Sequence, residues 1–299
     1  MRLPPPLTAG ARVALVSPAG PLGGAAELDH AMANARRLGW EPILGANVLA
    51  RHGYFGGTDA ERLHDLNAAL ADESIDAIWC VRGGYGAIRL LTHIDYASLT
   101  RRPRALIGFS DITALHAAIG TRCELVSYHG PTARGELTAF SRDSLQRATI
   151  ERRDPCGVAP EARTIRGGRA HGRLVGGNLA LLAALAGTPY APDYRGALLV
   201  LEDVGEPAYR IDRMLVQLAL SGALAQIAGL VVGHFTETTP ANEIVPDSLD
   251  DLVREAAEIA GVPAIAGVPI GHIDDQWTIP LGADAELDAD ALTLSVHQI

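Results

Sequence analysis

Through the first 130 residues, short apolar runs alternate with helix-like stretches, and this pattern limits the chain to very few architectures. The runs are ARVALVS (11–17), EPILGA (41–46), AIWCVR (77–82), ALIGF (105–109) and ELVSYHG (124–130). Helical periodicity separates them, as in ELDHAMANARRLG and DAERLHDLNAALAD, the latter with Asp59 as its expected N-cap. Strands joined through helices must run parallel, because a tight turn can only reverse the chain. The expected class is therefore α/β. In such sheets functional loops lie beyond the carboxyl ends of the strands, here SPAGP, VRGGYG, GFSD and SYHGP.

At 299 residues the chain is long enough for two domains. The alternation weakens over 136–166, a polar stretch with Pro155 and Pro160 that reads as a linker carrying one helix. The expected division is an N-terminal domain over 1–135, this linker, and a C-terminal domain over 167–299. The second half offers RAHGRLVGG, the helix NLALLAALAG and the strand GALLVLED. A long helix PAYRIDRMLVQLALSGALAQIA follows, then the strand GLVVGHF, the helix SLDDLVREAAEIA and the strand PAIAGVPIGH. The last residues, from WTIPLG onward, look like a hairpin, so this half reads as a smaller α+β domain.

The net charge of −10 and the lack of any basic run exclude a nucleic-acid backbone as partner. The N-terminus has no continuous apolar h-region, and no stretch approaches the length of a membrane span. A cytoplasmic protein without membrane contact is expected. Three scattered cysteines make neither a disulfide framework nor a CxxC site, and Cys80 reads as a buried thiol. No HExxH or other compact ligand spacing is present, so neither a metal nor another cofactor is expected.

Four places can carry chemistry. In GFSD, Ser110 sits between an apolar strand and a helix, the setting of a nucleophile elbow, although GxSxG is incomplete. The rival reading, which local sequence alone favours, is that Ser110 is the N-cap of DITALHAAIG. In VRGGYG, consecutive glycine N–H groups can face a developing anion or simply make a tight turn. LLVLEDVGE ends a strand in Glu202 and Asp203, with Glu206 close by, and a carboxylate there can orient a histidine. GVPIGH places His272 just past a strand as a candidate general base, with His129 and His234 similarly placed. Arg210 and Arg213 share one helix face and can meet a substrate carboxylate or pair locally.

The series GFSDITAL, SYHGP, GRLVGGNLALL, GTPY, LEDVGEPAYRIDRML and GVPIGH, in this order, resembles the LD-carboxypeptidases, or muramoyltetrapeptide carboxypeptidases. The resemblance implies a flavodoxin-like N-terminal domain and a Ser–Glu–His triad of Ser110, Glu202 and His272, with the serine from one domain and its partners from the other. It also implies an oxyanion hole of N–H groups near Gly84 and Asp111. Asn178 is implied on the substrate side, with helix capping as its other reading, and Arg82, Arg210 and Arg213 are candidates for the substrate carboxylate. The implied reaction releases terminal D-alanine from a murein tetrapeptide by cutting an L,D bond, and relatives of this kind are often homodimers. Two alternatives are a microcin C immunity-type hydrolase of peptidyl or aminoacyl nucleotides and a non-catalytic small-molecule binder. Between Asn178 and Glu202 the only aromatics available to stack on a nucleobase are Tyr190 and Tyr194.

Overall fold

The structure, a computed structural model, describes residues 1–238 and 249–297. The first half alternates as its sequence pattern requires: β1 (Arg12–Val16), α1 (Ala25–Arg37), β2 (Glu41–Leu44), α2 (Asp59–Ala71), β3 (Ala77–Cys80), α3 (Tyr96–Arg101), β4 (Ala105–Gly108), α4 (Thr113–Cys123) and β5 (Ser127–His129). These five strands are parallel in the order β2-β1-β3-β4-β5, the flavodoxin-like arrangement. Helices cover both faces, so successive side chains of one strand enter different cores. On β1, Val13 and Leu15 pack with Trp79 and Ile107, while Ala14 and Val16 pack with Ile78, Cys80 and Leu106.

The stretch 136–166 supplies α5 (Ala139–Gln146) and also two short strands, β6 (Gly157–Val158) and β7 (Arg163–Arg166). The rest comprises β8 (Arg169–Asn178), α6 (Leu179–Leu185), β9 (Leu198–Val204), α7 (Ala208–Leu220), β10 (Gly229–Thr236), α8 (Leu249–Ala260), β11 (Ala264–Ala266), β12 (Ile279–Leu281), β13 (Asp284–Asp288) and β14 (Thr293–Val296). An eight-stranded second sheet has the order β6-β14-β13-β8-β9-β10-β11-β7. Its centre, β8 to β11, is parallel, and its margins are antiparallel.

Three local expectations are corrected. Thr58, not Asp59, caps α2: its hydroxyl accepts from Glu61 N–H while the Glu61 carboxylate accepts from Thr58 N–H. Asp59 instead binds Arg62 and Arg89. Helix α7 stops at Leu220, because Gly222 takes a positive φ of 80° and the chain folds back with Ala223 N–H on Leu218. Only β13 and β14 form the C-terminal hairpin. The preceding strand β12 leaves that half and lies antiparallel to β5, at the edge of the first sheet.

Candidate active site

Ser110 follows the carboxyl end of β4 and holds a left-handed backbone, φ 65°. A non-glycine residue pays on the order of 1–2 kcal/mol for that conformation. The bend points the side chain out of the helix path, so Ser110 caps nothing, and the cap position of α4 falls to Ile112. Its Oγ lies 3.1 Å from His272 Nε2, and His272 Nδ1 lies 2.9 Å from Glu202 Oε2. The carboxylate can only accept, so Nδ1 carries the ring proton and Nε2 accepts from the serine hydroxyl. Glu202 is fully buried and the imidazole is 22% exposed, so the chain of groups is closed at its carboxylate end.

Three elements from distant parts of the sequence make this arrangement. Glu202 lies within β9, whose parallel partner β8 pairs Asn178 with it. His272 follows Gly271, which has φ 117° and lies so close to Glu202 that a Cβ there would sit 3.1 Å from Glu202 Cβ. Only glycine lets the histidine backbone pass that near the carboxylate. Phe109, the residue before the serine, packs its ring on the imidazole with centroids 4.8 Å apart. Glu206, the other acidic candidate, faces Arg210 at 3.3 Å.

The glycine loop is fastened to the serine turn. A Cβ on Gly83 would lie 2.7 Å from Ser110 Cβ. The buried Asp111 carboxylate accepts from Ala87 N–H at 2.7 Å and from Gly86 N–H. Burial raises the Asp111 pKa, and these N–H bonds and the nearby Arg62 guanidinium offset part of the rise. Gly84, exposed between these anchors, has φ 112°. Behind the turn, His116 bridges the Gly108 carbonyl and the Ser127 hydroxyl, each at 2.8 Å, and desolvation lowers its pKa to about 4.

The other candidates are placed less directly. Asn178 caps α6 through its amide oxygen and donates its amide N–H to Asp203 at 2.9 Å, so both ends of its side chain are engaged within the fold. Arg82 donates to the Pro21 carbonyl at 2.6 Å, and burial followed by the neighbouring Arg134 lowers its pKa. Arg210 and Arg213 lie exposed on α7, the first paired with Glu206 and the second over the Tyr209 ring. His129 is buried, with its ring 6.0 Å from that of Phe109, and His234 is partly buried on β10.

Sequence reasoning passed over the side-chain roles of Phe109 and Asp111. Their positions on either side of Ser110 were the available signal. It also left Asp203 without a role. This carboxylate accepts from Asn178, Ala180 N–H and Val204 N–H, and desolvation raises its pKa to about 6.

Among the described residues no group of His, Cys, Asp or Glu side chains could hold a metal ion, and no helix is long and apolar enough to cross a membrane. A cavity of about 570 Å³ is lined by residues of α4 and β8, and Ser110 is not part of its lining. Its lining includes Arg173, Asp193 and Arg195, whose charges already pair with one another.

Comparison with known proteins gives the family and the fold. Residues 13–130 match the LD-carboxypeptidase N-terminal domain and residues 171–287 the LD-carboxypeptidase C-terminal domain. A murein tetrapeptide carboxypeptidase of Pseudomonas aeruginosa is 38% identical, over 94% of each chain. The crystal structure of a muramoyltetrapeptide carboxypeptidase from Oxalobacter formigenes superposes with a TM-score of 0.85 at 29% identity, covering 96% of this chain and 98% of that one. An MccF-like protein from Bacillus anthracis shares the fold, with a TM-score of 0.89 at 23% identity over the whole of both chains.

Proposed function

The chain belongs to the LD-carboxypeptidase family, and on that premise we propose that it releases the terminal D-alanine of murein tetrapeptides through an acyl-enzyme on Ser110. The observation that carries this reading is the hydrogen-bonded series from Ser110 through His272 to the buried Glu202.

In the proposed reaction Ser110 Oγ attacks the carbonyl of the L,D bond while His272 Nε2 takes its proton. Glu202 holds the imidazole in the required tautomer and stabilises the imidazolium that forms. N–H groups of Gly84 and Asp111 face the oxyanion of the tetrahedral intermediate. His272 then returns the proton to the departing D-alanine nitrogen, leaving the shortened peptide esterified to Ser110. Water, deprotonated by the same imidazole, attacks the ester and restores the serine. Arg82 is the candidate for the substrate's terminal carboxylate, because its side chain borders the glycine loop next to Gly20. The activity is placed in the cytoplasm, acting on recovered murein peptides.

A panel of tetrapeptides tests the reading. A peptide ending in D-alanine with a free carboxylate is cleaved, and its L-alanine and C-terminal amide counterparts are cleaved at least tenfold more slowly. Equal cleavage of all three, or preferred cleavage of an aminoacyl nucleotide, contradicts it.

A further inference from the structure

A second histidine is buried beside the proposed triad and has no part in its chemistry. His129 ends β5, where it pairs with Gly108, two residues before Ser110, and on its other side with Ile279 of β12. It is 1% exposed, yet neither ring nitrogen has a hydrogen-bond partner among the described residues. A buried polar group left in this way costs stability, so hydrogen bonding does not account for a histidine here. Burial, and then the His116 and His272 rings, lower its pKa well below the ordinary histidine value, and the ring is neutral.

Packing fixes the ring in place. The His116 ring lies 6.2 Å away, centroid to centroid. On β8, Gly177 passes so near that a Cβ there would sit 3.2 Å from His129 Nδ1. Residues of both halves of the molecule therefore enclose it, and it has no room to turn.

The contact that leads to the site is Phe109. Its ring meets that of His129 edge-on, with centroids 6.0 Å apart and planes at 66°. The same Phe109 ring lies 4.8 Å from the His272 imidazole, tilted by 59°. Both separations fall in the range where aromatic rings attract one another. Phe109 is only partly buried and sits on extended backbone, so its ring takes its place from these neighbours.

His272 has need of such a support. Its imidazole is 22% exposed and follows a glycine, yet it must keep Nε2 3.1 Å from Ser110 Oγ and Nδ1 2.9 Å from Glu202 Oε2. Rotation of the ring breaks both bonds at once. A charged neighbour would oppose the imidazolium that forms during the reaction, and a neutral ring does not.

We propose that His129 is a positioning residue of the triad, which through Phe109 holds the His272 imidazole in line with Ser110 and Glu202. The proposal rests on the triad reading above and concerns a side chain that acts only through another.

The test measures cleavage of murein tetrapeptide by the wild type, His129→Ala, His129→Phe, Phe109→Ala and the double variant His129→Ala/Phe109→Ala. His129→Ala is expected to lower kcat about tenfold or more, with KM changed by less than about twofold, because a misplaced base slows the chemical step. His129→Phe keeps a ring at the position and retains kcat to within about threefold. Phe109→Ala lowers kcat as well, and adding His129→Ala to it brings no further loss, since the two side chains act in series. A kcat for His129→Ala near that of the wild type, losses that multiply in the double variant, or an equal loss in His129→Phe each overturn the proposal. His129→Leu takes the place of the alanine variant if that protein does not fold.

If the wild type cleaves no tetrapeptide, the functional reading fails on its own, and proton NMR then decides the role of His129. The signal of the His272 Nδ1 proton bonded to Glu202 is expected in the wild type and in His129→Phe, and its loss is expected in His129→Ala. Persistence of that signal in His129→Ala, or its absence from the wild type, overturns the proposal.

Discussion

Two adjacent carboxylates at the end of β9 have different surroundings. Glu202 faces a histidine, whereas Asp203 is surrounded by N–H donors and still has its pKa raised to about 6 by burial. Its folded pKa lies above the unfolded value near 3.8, so the native state binds more protons between those values. Its contribution to stability is therefore complete below pH 4 and is lost as pH rises through 6, by about 3 kcal/mol. His116, lowered from 6.5 to about 4, acts oppositely, and its contribution is lost as pH falls through 4. The informative quantity is thus a difference between proteins. Urea unfolding of wild type and Asp203→Asn is expected to show the wild type losing stability relative to the variant between pH 4 and 6. A constant difference across that interval contradicts the assignment. Local sequence could list Glu202, Asp203 and Glu206 as acidic residues near a strand end, and only the family resemblance singled out Glu202. Their order follows from which one meets a histidine 70 residues away.

At the level of elements, β8 and α4 make the approach that joins the two halves. Gly177 on β8 has φ 128°, and a Cβ there would lie 2.5 Å from Thr113 Oγ1 and 3.2 Å from His129 Nδ1. Next to it, Asn178 N–H bonds Thr113 Oγ1 at 2.9 Å. Gly177→Ala is expected to cost about 3 kcal/mol, from backbone strain plus overpacking. Gly187→Ala is the control, since Gly187 has φ 80° with open space around it, and it should cost only about 1 kcal/mol. Equal losses on denaturant unfolding contradict a steric role for Gly177. Most elements were legible because their burial has a simple period. The strands of the first half are short apolar runs closed by turn residues, and α2 was legible by its periodicity although its cap was read one residue late. What escaped depended on tertiary partners. Strand β12 is three residues long and pairs with β5 rather than with its sequence neighbours. The end of α7 depended on whether Ser221 and Gly222 continued or stopped the helix, which periodicity cannot decide.

At the scale of the whole molecule, the two halves are interleaved. One hydrophobic core runs from Val13, Trp79 and Ile107 of the first sheet to Leu174, Val200 and Ile265 of the second. Strand β12 fastens the C-terminal half onto the edge of the sheet that carries Ser110. This packing holds a serine against a histidine 162 residues later, to within 3.1 Å. No local spacing rule could have yielded that distance. The family resemblance of the ordered motifs grouped these residues in the sequence, and the fold explains physically why they meet. The proposed catalytic unit therefore belongs to the assembled molecule, and removing its nucleophile should abolish turnover without disturbing the assembly. The most direct test is D-alanine release from purified murein tetrapeptide by wild type and by Ser110→Ala, with thermal unfolding of both as the check on folding. The account predicts release by the wild type and a loss of several orders of magnitude in an equally folded variant. Comparable release by both proteins contradicts it.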